Sequence, residues 1–351
     1  MRNLIAIVLS LALMLAAGCS KQSESNAKKG HPQTLVYQVD WRAALGERPN
    51  KDLRGPILDS VGKVMGKRLR ALGIEDFELS SASDTITINF SALSDDNLPT
   101  VKRVLAPQGR LALRIVDNDN TWLTELDQKA AVEALRTRYH KENPNNESTV
   151  QFIRWRAEES KETPDVARNQ PWIGPYLRAQ RKSELMQFAS DPSLGIPTGR
   201  MFGFEKVEIR NRQGQQTGES FWKTVLVITG HTYSREKKLR NNSDEIVNAD
   251  IEKADCVPDD YSGHAVSLKL TAEAAKRFAD LTDRNVQRYL AIMLEDEVMS
   301  APMIQERIGG GQIRMTLFSG KKPSDIKQAC DDLAKTLLGG AYAAPVTFVT
   351  P

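Results

Sequence analysis

Histidine is nearly missing from this chain. There are four in 351 residues: His31, His140, His231 and His264. No two stand at metal-ligand spacing, and the HExxH pattern is absent. The three cysteines cannot assemble a Cys/His zinc set either. GxSxG does not occur, and no Ser-His-Asp set has supporting context. A phosphate loop is tempting at IGGGQIR and FSGKK, but it needs Gly, four residues, then Gly-Lys-Ser/Thr. Met315 stands where the second Gly belongs, and Lys322 follows Lys321. The three glycines at 309–311 then read as a turn or bulge before a strand. An excess of one charge is lacking too. Lys and Arg number 48 against 45 Asp and Glu, a formal net charge of +3, whereas nucleic-acid binders show a strong basic excess. The sequence thus offers no cofactor or metal site, no catalytic set and no nucleic-acid partner. Length and 40% hydrophobic content allow one or two packed domains.

What is present begins at the N-terminus. Arg2 is followed by an apolar run, Leu4 to Ala17, and then by Gly18 and Cys19. A positive start, a short apolar stretch and small residues before a cut make a secretory signal. The run is shorter than the ~20 apolar residues of a spanning helix, and nothing later in the chain approaches that length. LAAGC resembles the lipobox of bacterial lipoproteins. That resemblance implies removal of residues 1–18, lipidation of Cys19 and attachment to the membrane through this lipid only. Ser20 after the cysteine implies an outer-membrane rather than inner-membrane address. Residues 19–33 have no apolar periodicity and read as a flexible tether, reaching ~20 Å as a coil and ~45 Å when extended. In an oxidising compartment the remaining cysteines, Cys256 and Cys330, are a candidate disulfide, with a ceiling of roughly 4 kcal/mol. Cys330 also shares a helical face with Ile326, Leu333 and Leu337, so an ordinary buried thiol remains open.

One pattern of elements occurs twice. TLVYQV (34–39) reads as a strand. Ile57, Val61, Val64, Met65, Leu69 and Leu72 then mark a helix stopped by Gly73. FELSSASDTITINF reads as a hairpin, with Ile86, Ile88 and Phe90 alternating. NLPTVKRVL is a short helix with Pro99 in its first turn, and RLALRIV (110–116) is a strand. After residue 263 come a strand (265–270), a helix capped by Thr271, strands around LEDEVMSAP, a strand at 312–318, a helix ending at Gly339-Gly340 and a last strand, VTFV. This predicts an α+β fold in which two ferredoxin-like βαββαβ halves, 34–118 and 263–351, form a base. Residues 119–262 read as an inserted α+β head subdomain, being too long for a loop. The head holds four of the five tryptophans. They either build its small core or line a surface for extended polypeptide. Trp155, Trp172 and Trp222 are the binding candidates on the second reading.

Glu295, Asp296 and Glu297 stand where a hairpin must reverse. Neighbouring side chains diverge, so the three cannot all converge on one ion. A calcium loop spaces its ligands at alternate positions. A solvent-facing turn is the expectation, and no partner for acid-base work is evident.

ALGIEDFELSSASDTITINFS with VKRVLAPQGRLALRIVDN resembles the first periplasmic domain of SecD/SecDF protein-export subunits. So does VSLKLTAEAAKRFADLTDRNVQRYLAIMLEDEVMSAPMIQERIGGGQI, followed by LGGAYAAPV. ITGHTYS fits the family near the exit of the inserted head. Asp296 replaces a turn glycine of the family and Met315 replaces another. The resemblance covers about 54–118 and 263–350. It implies a stand-alone, lipid-anchored periplasmic module that is not an enzyme. Its implied partners are secretory or unfolded polypeptide and Sec translocon components. Family members continue into membrane helices carrying the proton-coupling acid, and this sequence stops at Pro351, so no proton-coupled motor activity is expected. The alternative is an envelope scaffold lipoprotein that kept the fold and not the export role.

Overall fold

The computed structural model describes residues 30–45, 51–118, 121–126, 150–153, 175–211, 213, 215–229, 245–260, 263–316 and 323–349. Cys19, the leader, most of the tether, Trp155 and Trp172 lie outside the described residues.

The first segment runs β1 (His31–Val39), α1 (Trp41–Leu45), α2 (Arg54–Ala71), β2 (Phe77–Ala82), β3 (Thr85–Leu93), α3 (Leu98–Leu105) and β4 (Leu111–Ile115). The alternation read from sequence is real: Ile86, Ile88 and Phe90 are buried, as are Leu35, Tyr37 and Val39 of β1, with Leu35 opposite Ile88 and Tyr37 opposite Ile86. Along α2, Leu58, Val61, Met65 and Leu69 face the same core. That spacing is the helical period.

The middle holds α4 (Trp122–Leu126), β5 (Gln151–Ile153), β6 (Tyr176–Ala179), α5 (Lys182–Ala189), β7 (Arg200–Arg210), β8 (Gln216–Ile228) and β9 (Ile246–Val247). Then follow β10 (Ile251–Asp259), β11 (Gly263–Leu270), α6 (Ala272–Arg284), β12 (Leu290–Leu294), β13 (Glu297–Ser300), β14 (Gln312–Met315), α7 (Pro323–Gly339) and β15 (Val346–Val349). Thr271 caps α6, its side chain accepting from the Ala274 N–H, as its hydroxyl at that position predicts. β10 is an element the sequence reading missed. IEKADCVPD mixes charge and a proline and gives no clean alternation.

The elements form an α+β fold, yet the strands do not stay within their own halves. The four-stranded sheet has the order β15-β1-β3-β2. Its fourth strand comes from the C-terminus, with Val36 opposite Val349 and Val39 opposite Val346. β4, expected there, pairs instead with β12, Leu111 opposite Leu294 and Ile115 opposite Leu290. A three-stranded sheet, β10-β11-β14, stands beside an eight-stranded one, β5-β6-β8-β7-β13-β12-β4-β9. The reason lies in side-chain pattern. LALRI and LAIML are apolar on both faces, and nearly every residue of the two strands is buried. Strands of that kind belong in the interior of a sheet covered on both sides. VTFV alternates and is only half-buried, which suits an edge. The eight-stranded sheet therefore draws strands from before residue 118, from the middle and from after residue 263.

Four main cores result. One lies under α2 and α3, one under α6 and α7, one in the middle region and one between β4, β8, β12 and β13. Trp122 and Trp222 pack against the middle core, and Trp122 meets Phe202 with ring centroids 6.0 Å apart.

Candidate functional site

The acidic hairpin is not a solvated tip. Glu295 adopts φ 59°, a left-handed conformation that suits the reversal between β12 and β13 and is uncommon outside glycine and Asn/Asp. Its N–H donates to the Arg110 carbonyl at 2.8 Å. Its Oε1 accepts from the N–H groups of Gly109, at 2.5 Å, and Arg110, at 3.2 Å. The tip is thereby fastened to the start of β4. Asp296 and Glu297 turn the other way. Lys182 Nζ, at the start of α5, donates to Asp296 Oδ1 at 2.7 Å and to Glu297 Oε1 at 2.8 Å. The Asp296 carbonyl accepts from the Phe204 N–H of β7 at 2.8 Å, where β13 pairs with β7 in parallel. The expected divergence holds between Glu295 and its neighbours. Asp296 and Glu297, though adjacent, do converge, and on an ammonium group. Partial burial alone would lower the Lys182 pKa. The hydrogen bonds and charge of Asp296 and Glu297 outweigh it and raise the pKa.

Behind the hairpin lies a residue that the sequence reading passed over. Arg68 of α2 is wholly buried. Nη1 donates to the carbonyls of Val104 at 3.0 Å and Pro107 at 2.6 Å. Nη2 donates to Gln108 at 2.8 Å and Gly340 at 2.7 Å. The guanidinium stacks over the Tyr342 ring, 4.0 Å from its centroid, and the Tyr342 hydroxyl donates to the Leu105 carbonyl at 2.9 Å. Burial lowers the Arg68 pKa, opposed by Tyr342 and Glu295. Burial raises that of Tyr342 to about 12, opposed by Arg68. Gly109 explains its own identity here. Its φ is +76°, and a Cβ would stand 2.3 Å from Arg68 Nη2. One guanidinium thus ties α2, the α3–β4 connection and the approach to β15 together. The signal in the sequence was a basic residue in phase with the apolar stripe Val61, Met65, Leu69.

Trp222 sits on β8 half-buried, with Lys182 Nζ 5.5 Å from its ring centroid. It belongs to the junction under the acidic hairpin and is partly covered there. Cys256 on β10 and Cys330 on α7 are joined in a disulfide, Cα atoms 5.5 Å apart. Gly311, at φ +61°, lies where a Cβ would stand 2.6 Å from that of Ala275. The glycine run thus lets the chain pass close to α6 before β14. Among the described residues no group of three or more His, Cys, Asp and Glu could hold a metal ion. No described helix is long and apolar enough to cross a membrane. An apolar groove of about 510 Å³ opens between α3 and α7, floored by Leu294, Ala329 and Leu333 and rimmed by Arg103 and Asp332.

The class defined so far is an α+β chain of interlocked sheets, whose most suggestive acidic cluster serves as a structural clasp. Residues 227–344 of it match the family described as SecDF, P1 head subdomain. The protein translocase subunit SecD of Syntrophobacter fumaroxidans is 41% identical over 101 residues, 29% of this chain and 17% of the relative. SecD of Elusimicrobium minutum is 40% identical over 156 residues, 44% of this chain and 27% of the relative. The chain thus spans well under a third of the length of these curated relatives, and over the matched region it is SecD-like. A solved structure of SecDF, a membrane component that enhances protein export, aligns with 91% of this chain and 99% of its own. The sequence identity there is 17% and the TM-score 0.47, a likeness too slight to build on.

Proposed function

We propose that this chain is a non-catalytic periplasmic module of the SecD type. It is anchored by lipid at Cys19 after loss of residues 1–18, and binds unfolded or emerging secretory polypeptide beside export machinery. It does so without a proton-coupled motor. The observation that carries this reading is the match of residues 227–344 to the SecDF head subdomain, together with export-subunit relatives that match 29% and 44% of the chain. The acidic hairpin is consistent with it, because its carboxylates are engaged by Lys182 and by backbone N–H groups. Sheet edges and the apolar groove between α3 and α7 supply the physical means, backbone pairing and side-chain burial. Within this reading the base is formed by ferredoxin-like halves at 34–118 and 263–351 that exchange strands, and residues 119–262 form the inserted head. The span matching the family's head subdomain, 227–344, overlaps that insert only at 227–262 and otherwise falls in the second half. Trp155, Trp172 and Trp222 are the insert's candidate contacts.

The test is photo-crosslinking in cells from a benzophenone side chain at Trp172, with affinity capture of the full chain. Cross-links to secretory precursors or to Sec components are expected. Their absence, with normal export and a damaged envelope in a deletion strain, would replace the reading with an envelope scaffold.

A further inference from the structure

β2 is the outermost strand of the four-stranded sheet among the described residues. An outermost strand presents unpaired backbone N–H and C=O groups to any extended chain that can reach them. Folded proteins blunt such edges with lysine, proline or a bulge. FELSSA has no lysine, proline or bulge, its one charge being the exposed Glu78: its pairing with β3 runs from Phe77 opposite Phe90 to Ala82 opposite Thr85 with no break in register. The sheet's other edge, β15, is only four residues long and directly follows Pro345. The two edges are therefore not equivalent, and among the described residues β2 is the longer one with no strand beyond it.

Beside β2 runs a groove of about 570 Å³, bounded on its other side by α2. Its floor is apolar, from Leu79 and Ile86, and Ser80 and Ser81 line the strand side. The helix side carries Lys63, Lys67 and Arg70 against a single acid, Asp59. Among the described residues neither lysine makes a salt bridge, and both are exposed. Gly62 and Gly66, one turn apart, keep that wall of the helix low. A Cβ on Gly62 would meet nothing within 4 Å, so packing does not demand glycine there. An interior helical glycine nevertheless costs roughly 0.5–1 kcal/mol relative to alanine.

We propose that β2 and this groove take an extended polypeptide segment as an added strand, with its acidic side chains turned toward Lys63, Lys67 and Arg70. The proposal rests on the polypeptide-binding reading above and gives it a place and a preference. Strand addition supplies affinity through the backbone and leaves alternate side chains to be selected. A net excess of cations over a partly apolar floor selects acidic over basic residues on the inward face.

The probe is a fluorescein-labelled octapeptide of alternating Glu and Val, measured by fluorescence anisotropy against the full chain. A Lys-Val octapeptide is the charge control. Two N-methylated versions block the N–H groups of one strand edge or the other. The acidic peptide is expected to bind at least tenfold tighter than the basic one, and one N-methylated register is expected to lose binding while the other keeps it. The K63E/K67E variant changes only exposed residues, so its circular dichroism and urea midpoint should match the parent. It is expected to lose at least tenfold in affinity for the acidic peptide. Equal binding by both charges, both N-methylated registers binding, or an unaffected K63E/K67E would each overturn the site. So would displacement of the peptide by phosphatidylglycerol vesicles, which would assign the groove to anionic lipid. A carboxymethylated, unfolded protein offered to the same samples separates the two levels. If it binds parent and K63E/K67E alike, the groove is wrong and polypeptide binding stands. If neither it nor the peptide binds the parent, both readings fall.

Discussion

Arg68 holds a position that its residue type makes improbable. A guanidinium is seldom fully buried, and a buried charge is tolerated only when paired or fully hydrogen-bonded. Four carbonyls and an aromatic face meet most of that demand here, and Nε alone is left without a hydrogen-bond partner. Arg68→Ala leaves those carbonyls unpaired and opens a cavity beside Gly109 and Gly339. The expected loss is on the order of 3–5 kcal/mol in urea unfolding, by analogy with breaking a buried charged network. Arg68→Met, which fills the space, is expected to lose less. Equal losses would show that hydrogen bonding rather than packing is what Arg68 supplies. Side chains of this kind are the least legible from sequence. Helical phase with Val61 and Met65 is enough to turn position 68 toward the core, though the sequence reading passed over it. The four carbonyls it reaches come from residues 104–108 and 340, and no local pattern announces them. The hairpin acids misled for the same reason. Their flanks marked a reversal, while the groups that fasten it, Lys182 and the Gly109 and Arg110 N–H groups, lie far away in the chain.

Elements were largely readable where alternation or helical spacing was strong, as in β3, α2 and α6. Pairing partners were not. The doubly apolar strands β4 and β12 announced burial on both faces, but period-two patterns say nothing about which strand lies alongside. The exchange of β4 and β15 between sheets therefore appears only in three dimensions. The disulfide acts at this scale, fastening α7 to β10 across a sequence separation of 74. In the chain-entropy account a loop of that length contributes roughly 4 kcal/mol at most. The C256A/C330A double variant is expected to fold with a urea midpoint lowered by up to that amount. Protein whose Cys19 is lipidated or replaced by Ser should show no free thiol to Ellman's reagent in either folded or denaturant-unfolded form. A free thiol on unfolding would mean that the pair is not bonded in solution.

The hairpin clasp joins elements far apart in the chain, so it is also a term in how the whole molecule coheres. Lys182→Met removes both ion pairs at once. Lys182 and Asp296 are only 22% and 27% exposed, so that pair is screened in part, whereas Glu297 is 42% exposed and its pair adds little. The expected loss is on the order of 1–2 kcal/mol, shrinking in high salt. A loss that ignores salt would mean that the two ion pairs are not what Lys182 supplies. Proton linkage gives a wider prediction, and its direction is alkaline. Tyr37, Tyr342 and Lys182 all have pKa values raised in the folded chain. Burial is the chief cause for the two tyrosines, and the acidic hairpin is the cause for the lysine. A raised folded pKa means that folding favours the protonated form. That stability is complete below the ordinary pKa of each group, and disappears as pH climbs through the folded value. For Tyr342 the window runs from its ordinary value of 10.0 to about 12, a contribution on the order of 2–3 kcal/mol. The urea midpoint is expected to stay level between about pH 8 and about pH 9.5, then to fall steeply toward about pH 11.5. Tyr342→Phe keeps a ring under Arg68 and loses the hydroxyl bond to Leu105. It is expected to start about 1 kcal/mol lower at neutral pH and to lose less on the alkaline side. The two curves should therefore converge as pH rises. Parallel curves would mean that Tyr342 does not couple its proton to folding.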